Sequence, residues 1–398
     1  MDFNLSEEQE MLRNSAARYL KEKCDFVARD RTLNAGLAME PVSWQDFADF
    51  GWLGISLPES TGGLACSFVE QSVLMEEFGR AMALSPYLSA IVLCGRIIDQ
   101  ASAFGGRDVL LRRICDGSSQ LSFAHSESVA RYDGTSVSET VAQRVGDGFE
   151  LRGHKMMCLG APSAQHFIVS AEVEGETDGG FALFLVDAQV QGLTVDVYAL
   201  IDGSHAGDLT FDGVHVRLSD MVAPPAIAGR VASDALDRAA LATVSEMLGC
   251  MEAVTDITAA HIKTRTQFGK PLGAFQVLQH QMAEVFVELQ ETRSILYSAI
   301  ASLDAKDAAR QASISAAKAY AGSAARFVGQ RGIQLHGGIG ITEETQVGHY
   351  YKRIVCLERL FGDSSFHLER FAKLSQVERA AREQLANEPR TKTPLIAS

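Results

Sequence analysis

The sequence predicts an α+β chain built as three successive parts: helices, then strands, then helices. Three observations predict it. Apolar residues recur at helical spacing up to about residue 118. Short apolar runs between turn residues fill about 119–227. The helical period returns after Pro224-Pro225 and holds to about 385. The expected parts are an N-terminal helical domain at 1–118, a β domain at 119–227, a helical bundle at 228–385 and a flexible tail at 386–398.

Ser6 opens the first helix, with Glu7 and Glu8 in the first turn and Gln9 placed to complete a capping box. A short helix through Trp44 and Phe47 ends near Gly51, and 54–63, with Pro58 and Gly62-Gly63, is a loop. Phe68 to Met82 is apolar at helical spacing, and Leu88 to Ile98 reads as a buried helix. Leu121 to Ala124 begins the strands. Val141 to Val145 and Phe149 to Arg152 form a hairpin through Asp147-Gly148. His166 to Ala171 and Phe181 to Val186 are buried strands; Leu193 to Val197 and Asp208 to Phe211 continue the pattern. Leu236 to Lys263, Gln276 to Leu303 and Ala308 to Gly332 are long helices, the last ending at its glycine. Tyr350 to Leu357 starts a fourth. The end of the chain, from Glu388, has two prolines and little core material.

Composition narrows the function. With 46% hydrophobic and 22% charged residues, the chain is ordinary globular material. A net charge of −14 argues against nucleic acid, which needs a basic face. No apolar run reaches the roughly 18 residues of a membrane span. The N-terminus is neither a signal nor a transit peptide. Seven scattered cysteines without a C-x-x-C read as reduced thiols of a cytoplasmic protein, and no metal-ligand spacing appears.

Two stretches carry chemistry. Arg265 to Met282 holds Arg265, Gln267 and Phe268 before a Gly269-Lys270-Pro271 break, then Phe275, Gln276, Gln279 and His280. Arginine grips phosphate oxygens with a planar fork, amides read ring edges and aromatics stack, which suits a ligand with a diphosphate and a flat ring. The plain alternative is a helix–turn–helix joint. The second stretch, Gln334-Leu335-His336-Gly337-Gly338-Ile339-Gly340, starts where the helical pattern stops. Its glycines admit close approach of an anion or, alternatively, cap a helix.

Together, and in this order, the two stretches resemble the FAD-binding signatures of the acyl-CoA dehydrogenase family, and the resemblance runs from Met1 to about residue 380. It implies the family's fold: a helical N-terminal domain, a middle β domain and a four-helix C-terminal bundle. It also implies FAD held across a subunit interface by Arg265, Gln267, Phe268, Phe275, Gln276, Gln334, Leu335, His336, Gly337 and Gly338. The implied reaction takes the α-proton of an acyl-CoA onto a carboxylate and passes the β-hydride to the flavin. Ala124-His125-Ser126-Glu127 resembles the strand end that meets the flavin ring, through Ala124 and Ser126; a plain strand end is the alternative. Lys155 to Leu159 resembles the next flavin-contacting strand but lacks its usual Trp and Thr.

The base is less defined. Many relatives carry a glutamate where this chain has Leu360-Phe361-Gly362-Asp363. Asp363 is one candidate, although Asp in such a turn also caps helices. Glu246 is another: about 140° around its helix from Leu241, it sits among the small residues Ala239, Cys250 and Ala253. A third reading gives this chain no base and a partner subunit one. Asp237 lies where relatives place an Asp near CoA, with Arg238 a possible substitute for their nearby arginine; a solvated helix start is the favoured reading there. Arg131-Tyr132-Asp133, Ser245 to Gly249, Gln334 to Thr342 and Val347 to Arg353 resemble the small subunits of pimeloyl-CoA-type dehydrogenases and members acting on steroid side chains. That resemblance implies a homo-oligomer or a heterotetramer with a homologous chain, with an electron-transfer flavoprotein as acceptor. A non-catalytic partner subunit and a flavin oxidase or monooxygenase remain as alternatives.

Overall fold

A computed structural model of the chain describes residues 4–35, 44–129, 132, 134, 136–175 and 180–387. Arg131, Asp133 and the expected tail beyond residue 387 lie outside the described residues. The α+β order is as predicted: helices, strands, helices.

The first block holds α1 (Glu7–Lys23), α2 (Phe26–Asn34), α3 (Trp44–Asp49), α4 (Phe68–Ala81), α5 (Arg96–Gln100) and α6 (Arg107–Cys115). The capping box at Ser6 forms: its hydroxyl accepts the Gln9 N–H at 3.2 Å, and Gln9 Oε1 accepts the Ser6 N–H at 2.9 Å. The buried segment expected as one helix splits. Leu88–Gly95 winds as a wider π-helix before α5 continues in the α form.

The middle block is an eight-stranded sheet of β1 (Leu121–Ala124), β2 (Val141–Val145), β3 (Gly148–Leu159), β4 (His166–Val173), β5 (Phe181–Asp187), β6 (Leu193–Ala199), β7 (His205–Arg217) and β8 (Met221–Ala223). Its order is β6-β7-β3-β2-β4-β5-β8, and β1 pairs in parallel with β4. The β2–β3 hairpin turns one residue earlier than predicted. Gly146 takes the positive φ of 61°, and Gly148 already pairs with Val145. Phe149, Leu151, Phe167, Phe184 and Phe211 share a core beneath this sheet, separate from the core that joins both helical blocks.

The last block comprises α7 (Pro225–Thr264), a ribbon of β9 (Thr266–Gln267) and β10 (Lys270–Pro271), α8 (Gln276–Ala301), α9 (Asp307–His336), α10 (Gln346–Arg359) and α11 (Ser364–Asn387). The expected stop at Gly332 is wrong: α9 runs four residues further. A Cβ at Gly332 would lie 2.6 Å from Val254 Cγ1 and 2.9 Å from Val347 Cγ2. Glycine is there so that α7 and α10 can pack closely against α9, not to end the helix. The glycine-rich turn therefore begins at Gly337 rather than at Gln334.

Helix α7 is the spine of the molecule. It crosses α4 backbone to backbone, because a Cβ on Gly79 would overlap the Glu246 carbonyl oxygen and one on Gly249 the Glu76 carbonyl oxygen. The contact buries Glu76, whose Oε2 lies 3.3 Å from Arg13 Nη2. Burial pushes the Glu76 carboxyl up to about 7, against the pull of Arg13 and Arg293. The folded chain therefore binds this proton more tightly than the unfolded one between its ordinary 4.5 and about 7, so stability falls as pH rises through that window. Glu76→Gln is expected to flatten this slope and to stabilise the protein at pH 8 by roughly 1–3 kcal/mol, read from thermal melts at pH 5 and pH 8. No helix among the described residues is long and apolar enough to cross a membrane, and all seven cysteines are free.

Candidate active site

Arg265 caps the C-terminus of α7, and the β9–β10 ribbon turns at Phe268 and Gly269, with φ of 53° and 80°. Phe268 is 91% exposed. An aromatic ring in water on a left-handed backbone is doubly unfavourable in the isolated chain, and a flat ligand would relieve the first cost. Phe275 meets it edge-on at 6.2 Å, and Lys270 Nζ lies 4.2 Å over the Phe275 ring. Arg265, Gln267 and Gln276 are exposed beside them.

The second stretch is brought alongside. His336, in the last turn of α9, stacks on His261, one turn before Arg265, with centroids 4.3 Å apart. Gly337, at φ 67°, and Gly338 have nothing within 4 Å of where a Cβ would stand, and both are exposed, as is Gln334. Open glycine amides beside an arginine and exposed aromatics fit a diphosphate with an attached ring. Leu335 differs from the expectation: it is buried, so its side chain belongs to the core and only its backbone can face a ligand. Val277, Phe286, Val287 and Ile341 are also each more than half exposed.

The strand end resembling a flavin-ring contact is built on a buried ion pair. Lys155 Nζ donates to Glu127 Oε1 at 2.6 Å, to Ser170 Oγ at 3.0 Å and to the His125 carbonyl at 3.3 Å. Glu127 in turn accepts the N–H groups of Ser138, Glu139 and Thr140. Burial pushes the Lys155 ammonium down to about 8 despite its partner. This clamp fixes Ala124, which is buried and offers only backbone, and the half-buried Ser126 next to Met156 and Met157.

Both candidate bases are engaged. Glu246 is 1% exposed, and its Oε1 accepts from Arg353 Nε at 2.7 Å and Nη2 at 2.5 Å. Arg353 Nη1 reaches Asp202 at 2.7 Å, and Arg29 donates to the Asp202 carbonyl. Burial pushes the Glu246 carboxyl up, while Arg353 holds it down. A cavity of about 60 Å³ lies where the three blocks meet; Arg353, Leu360, Ser89 and His205 line it, and Glu246 does not. Asp363 caps α11, accepting the Phe366 N–H at 2.9 Å. Phe361 stands before it at φ 57°, and Gly362 at 108°.

The favoured reading of Asp237 and Arg238 as a solvated helix start is overturned. Asp237 is buried and held by both terminal nitrogens of Arg370, at 2.5 and 3.1 Å. Arg238 points elsewhere, joining Arg96 and Arg310 around Asp234. The ion pairs made by Arg353, Asp202, Lys155 and Arg370 are not legible in the sequence. Each is a charge whose opposite charge lies on a distant element, and that pairing is invisible in one sequence.

Family models described as the N-terminal, middle and C-terminal domains of acyl-CoA dehydrogenase match residues 6–118, 122–214 and 229–375. The mitochondrial isovaleryl-CoA dehydrogenase of Solanum tuberosum is 28% identical over 357 residues, which covers 86% of this chain and 84% of that protein. A solved Tcur3481-Tcur3483 steroid ACAD variant is 29% identical with a TM-score of 0.81, covering 94% of this chain and 99% of that one. The ChsE4-ChsE5 complex from Mycobacterium tuberculosis is 25% identical with a TM-score of 0.81, covering 98% and 100%. By its three successive domains, the chain belongs to the acyl-CoA dehydrogenase family.

Proposed function

We propose that this chain is one subunit of a heteromeric acyl-CoA dehydrogenase that forms an α,β double bond in a dicarboxylic, cyclic or steroid-derived acyl-CoA, and that a homologous partner supplies the base. Its family makes it a flavin-dependent oxidoreductase with FAD as cofactor. The observation that carries the finer reading is the engagement of both local carboxylates, Glu246 by Arg353 and Asp363 by the α11 N-terminus. The two solved relatives support it, since one is named as a two-protein complex and the other as a steroid enzyme.

In this reading Arg265 and the amides at Gly337 and Gly338 hold the diphosphate, and Phe268 and Phe275 pack on the adenine, with Gln267, Gln276 and Gln334 at its edges. Ser126 and the Met156–Met157 segment, in the same or the neighbouring subunit, meet the isoalloxazine ring. Bound FAD supplies the hydride acceptor. The exposed apolar side chains Val277, Phe286 and Val287 of α8 are covered by the neighbouring subunit, which excludes water from the site. Electrons leave to an electron-transfer flavoprotein. A second reading keeps Glu246 as base in a homomeric enzyme; its raised carboxyl favours this, provided Arg353 releases it.

Arg265→Ala tests the cofactor site. Loss of a charge-assisted phosphate contact is expected to weaken FAD binding by about 10- to 100-fold in equilibrium dialysis of the reconstituted assembly. Unchanged affinity would remove Arg265 from the diphosphate site.

A further inference from the structure

We propose that Asp208 and Tyr198 are positioning residues for the flavin ring, acting through the backbone of Met157; the inference rests on the FAD site described above. The β3–β7 ladder is interrupted at two places, between Leu151 and Arg152 and between Lys155 and Cys158, and the second bears on the flavin ring. Lys155 pairs with Leu209 and Cys158 pairs with Gly207, so Met156 and Met157 together stand opposite the single residue Asp208. Such a bulge re-aims side chains. Lys155 and Cys158 on either side are buried, at 0% and 1% exposure, whereas Met156 and Met157 are both turned outward, at 43% and 41%. Two neighbours on a regular strand would face opposite ways.

The bulge is held at both ends. Met157 has a φ of 56°, a left-handed conformation that a residue with a side chain adopts only under constraint. Its N–H is absent from the ladder and instead donates to Asp208 Oδ1 at 2.9 Å. The Tyr198 hydroxyl donates to the same oxygen at 2.8 Å. Burial and the adjacent carboxylate push that hydroxyl well above the usual phenol range, so it remains a donor. On the other side the Met156 N–H donates to the Ser126 carbonyl at 2.8 Å, next to the Lys155–Glu127 clamp. Asp208 thus fixes the outward pair of methionines against the strand end that carries Ser126. Among the described residues the Asp208 carboxylate accepts from the Met157 N–H and the Tyr198 hydroxyl, and its ladder partner on β6 is Asp196.

The test compares Asp208→Ala, Asp208→Asn and Tyr198→Phe in the assembled holoenzyme. It reads the FAD dissociation constant and the visible absorption and circular dichroism of the bound flavin. Asp208→Ala is expected to weaken FAD about tenfold and to broaden the flavin bands, whereas Asp208→Asn, which keeps an acceptor oxygen, stays within about twofold. Tyr198→Phe shifts both readouts the same way by a smaller step. The decisive arm is Met157→Gly, because glycine holds a positive φ unaided. In that background Asp208→Ala is expected to cost less than about twofold. Wild-type affinity and spectrum in Asp208→Ala, or an undiminished effect in the glycine background, would overturn the proposal while leaving the FAD site standing. A wild-type assembly that binds no FAD would overturn both.

Discussion

Arg353→Met is expected to destabilise the protein by about 3–5 kcal/mol, because it leaves two buried carboxylates facing each other without their shared cation. Arg353 joins Glu246 on α7 to Asp202 in the β6–β7 loop, while Arg29 on α2 holds the same loop by its carbonyl. Two guanidiniums, those of Arg353 and Arg29, therefore meet at Asp202 and tie all three blocks of the chain together. The penalty comes from desolvation left uncompensated rather than from the strength of the ion pair. A double variant, Arg353→Met with Glu246→Gln, is expected to recover part of the loss by removing one of the stranded charges. Urea unfolding of the wild type and both variants checks this. A shift below about 1 kcal/mol for Arg353→Met would show that the pair is solvated in solution and that Glu246 is free to act as a base.

The second large effect is on activity. The chain without its homologous partner is expected to leave bound FAD oxidised when mixed with an acyl-CoA. A carboxylate that removes an α-proton must come within hydrogen-bond reach of it and be free to accept it. Glu246 has its oxygen in a two-pronged contact with Arg353, and it is Arg353, not Glu246, that borders the cavity between the three blocks. Asp363 spends an oxygen on the first turn of α11 and lies beside Arg359. Phe361, beside it in a left-handed turn, offers a phenyl ring and no carboxylate. Losing general-base catalysis alone typically costs 10²–10⁴-fold, and with no substitute group the rate drops below ready detection.

The sequence made the helical and strand blocks readable because their periods differ, and their order survives intact. What it obscured follows from what one chain in one dimension cannot display. Gly332 looked like a stop because glycine ends helices. Only the proximity of Val254 and Val347 shows that it is a packing glycine. The two stretches proposed to hold the cofactor were readable because their residue types sit close together, yet the His261–His336 stack that aligns them spans 75 positions. Leu335 fell inside the motif but points into the core. Asp237 looked like a solvated helix start, since its partner Arg370 is on a helix more than a hundred residues away. The Asp208 support for Met157 was invisible for the same reason, with the added difficulty that a bulge cannot be read from alternation that it itself breaks.

The most direct measurement is anaerobic mixing of the purified, FAD-loaded chain with an acyl-CoA, followed by absorbance of the flavin, first alone and then after assembly with a homologous dehydrogenase subunit. The expected result is no bleaching for the chain alone and rapid bleaching for the assembly. Full-speed bleaching by the chain alone, abolished by Glu246→Gln, would contradict it and make Glu246 the working base.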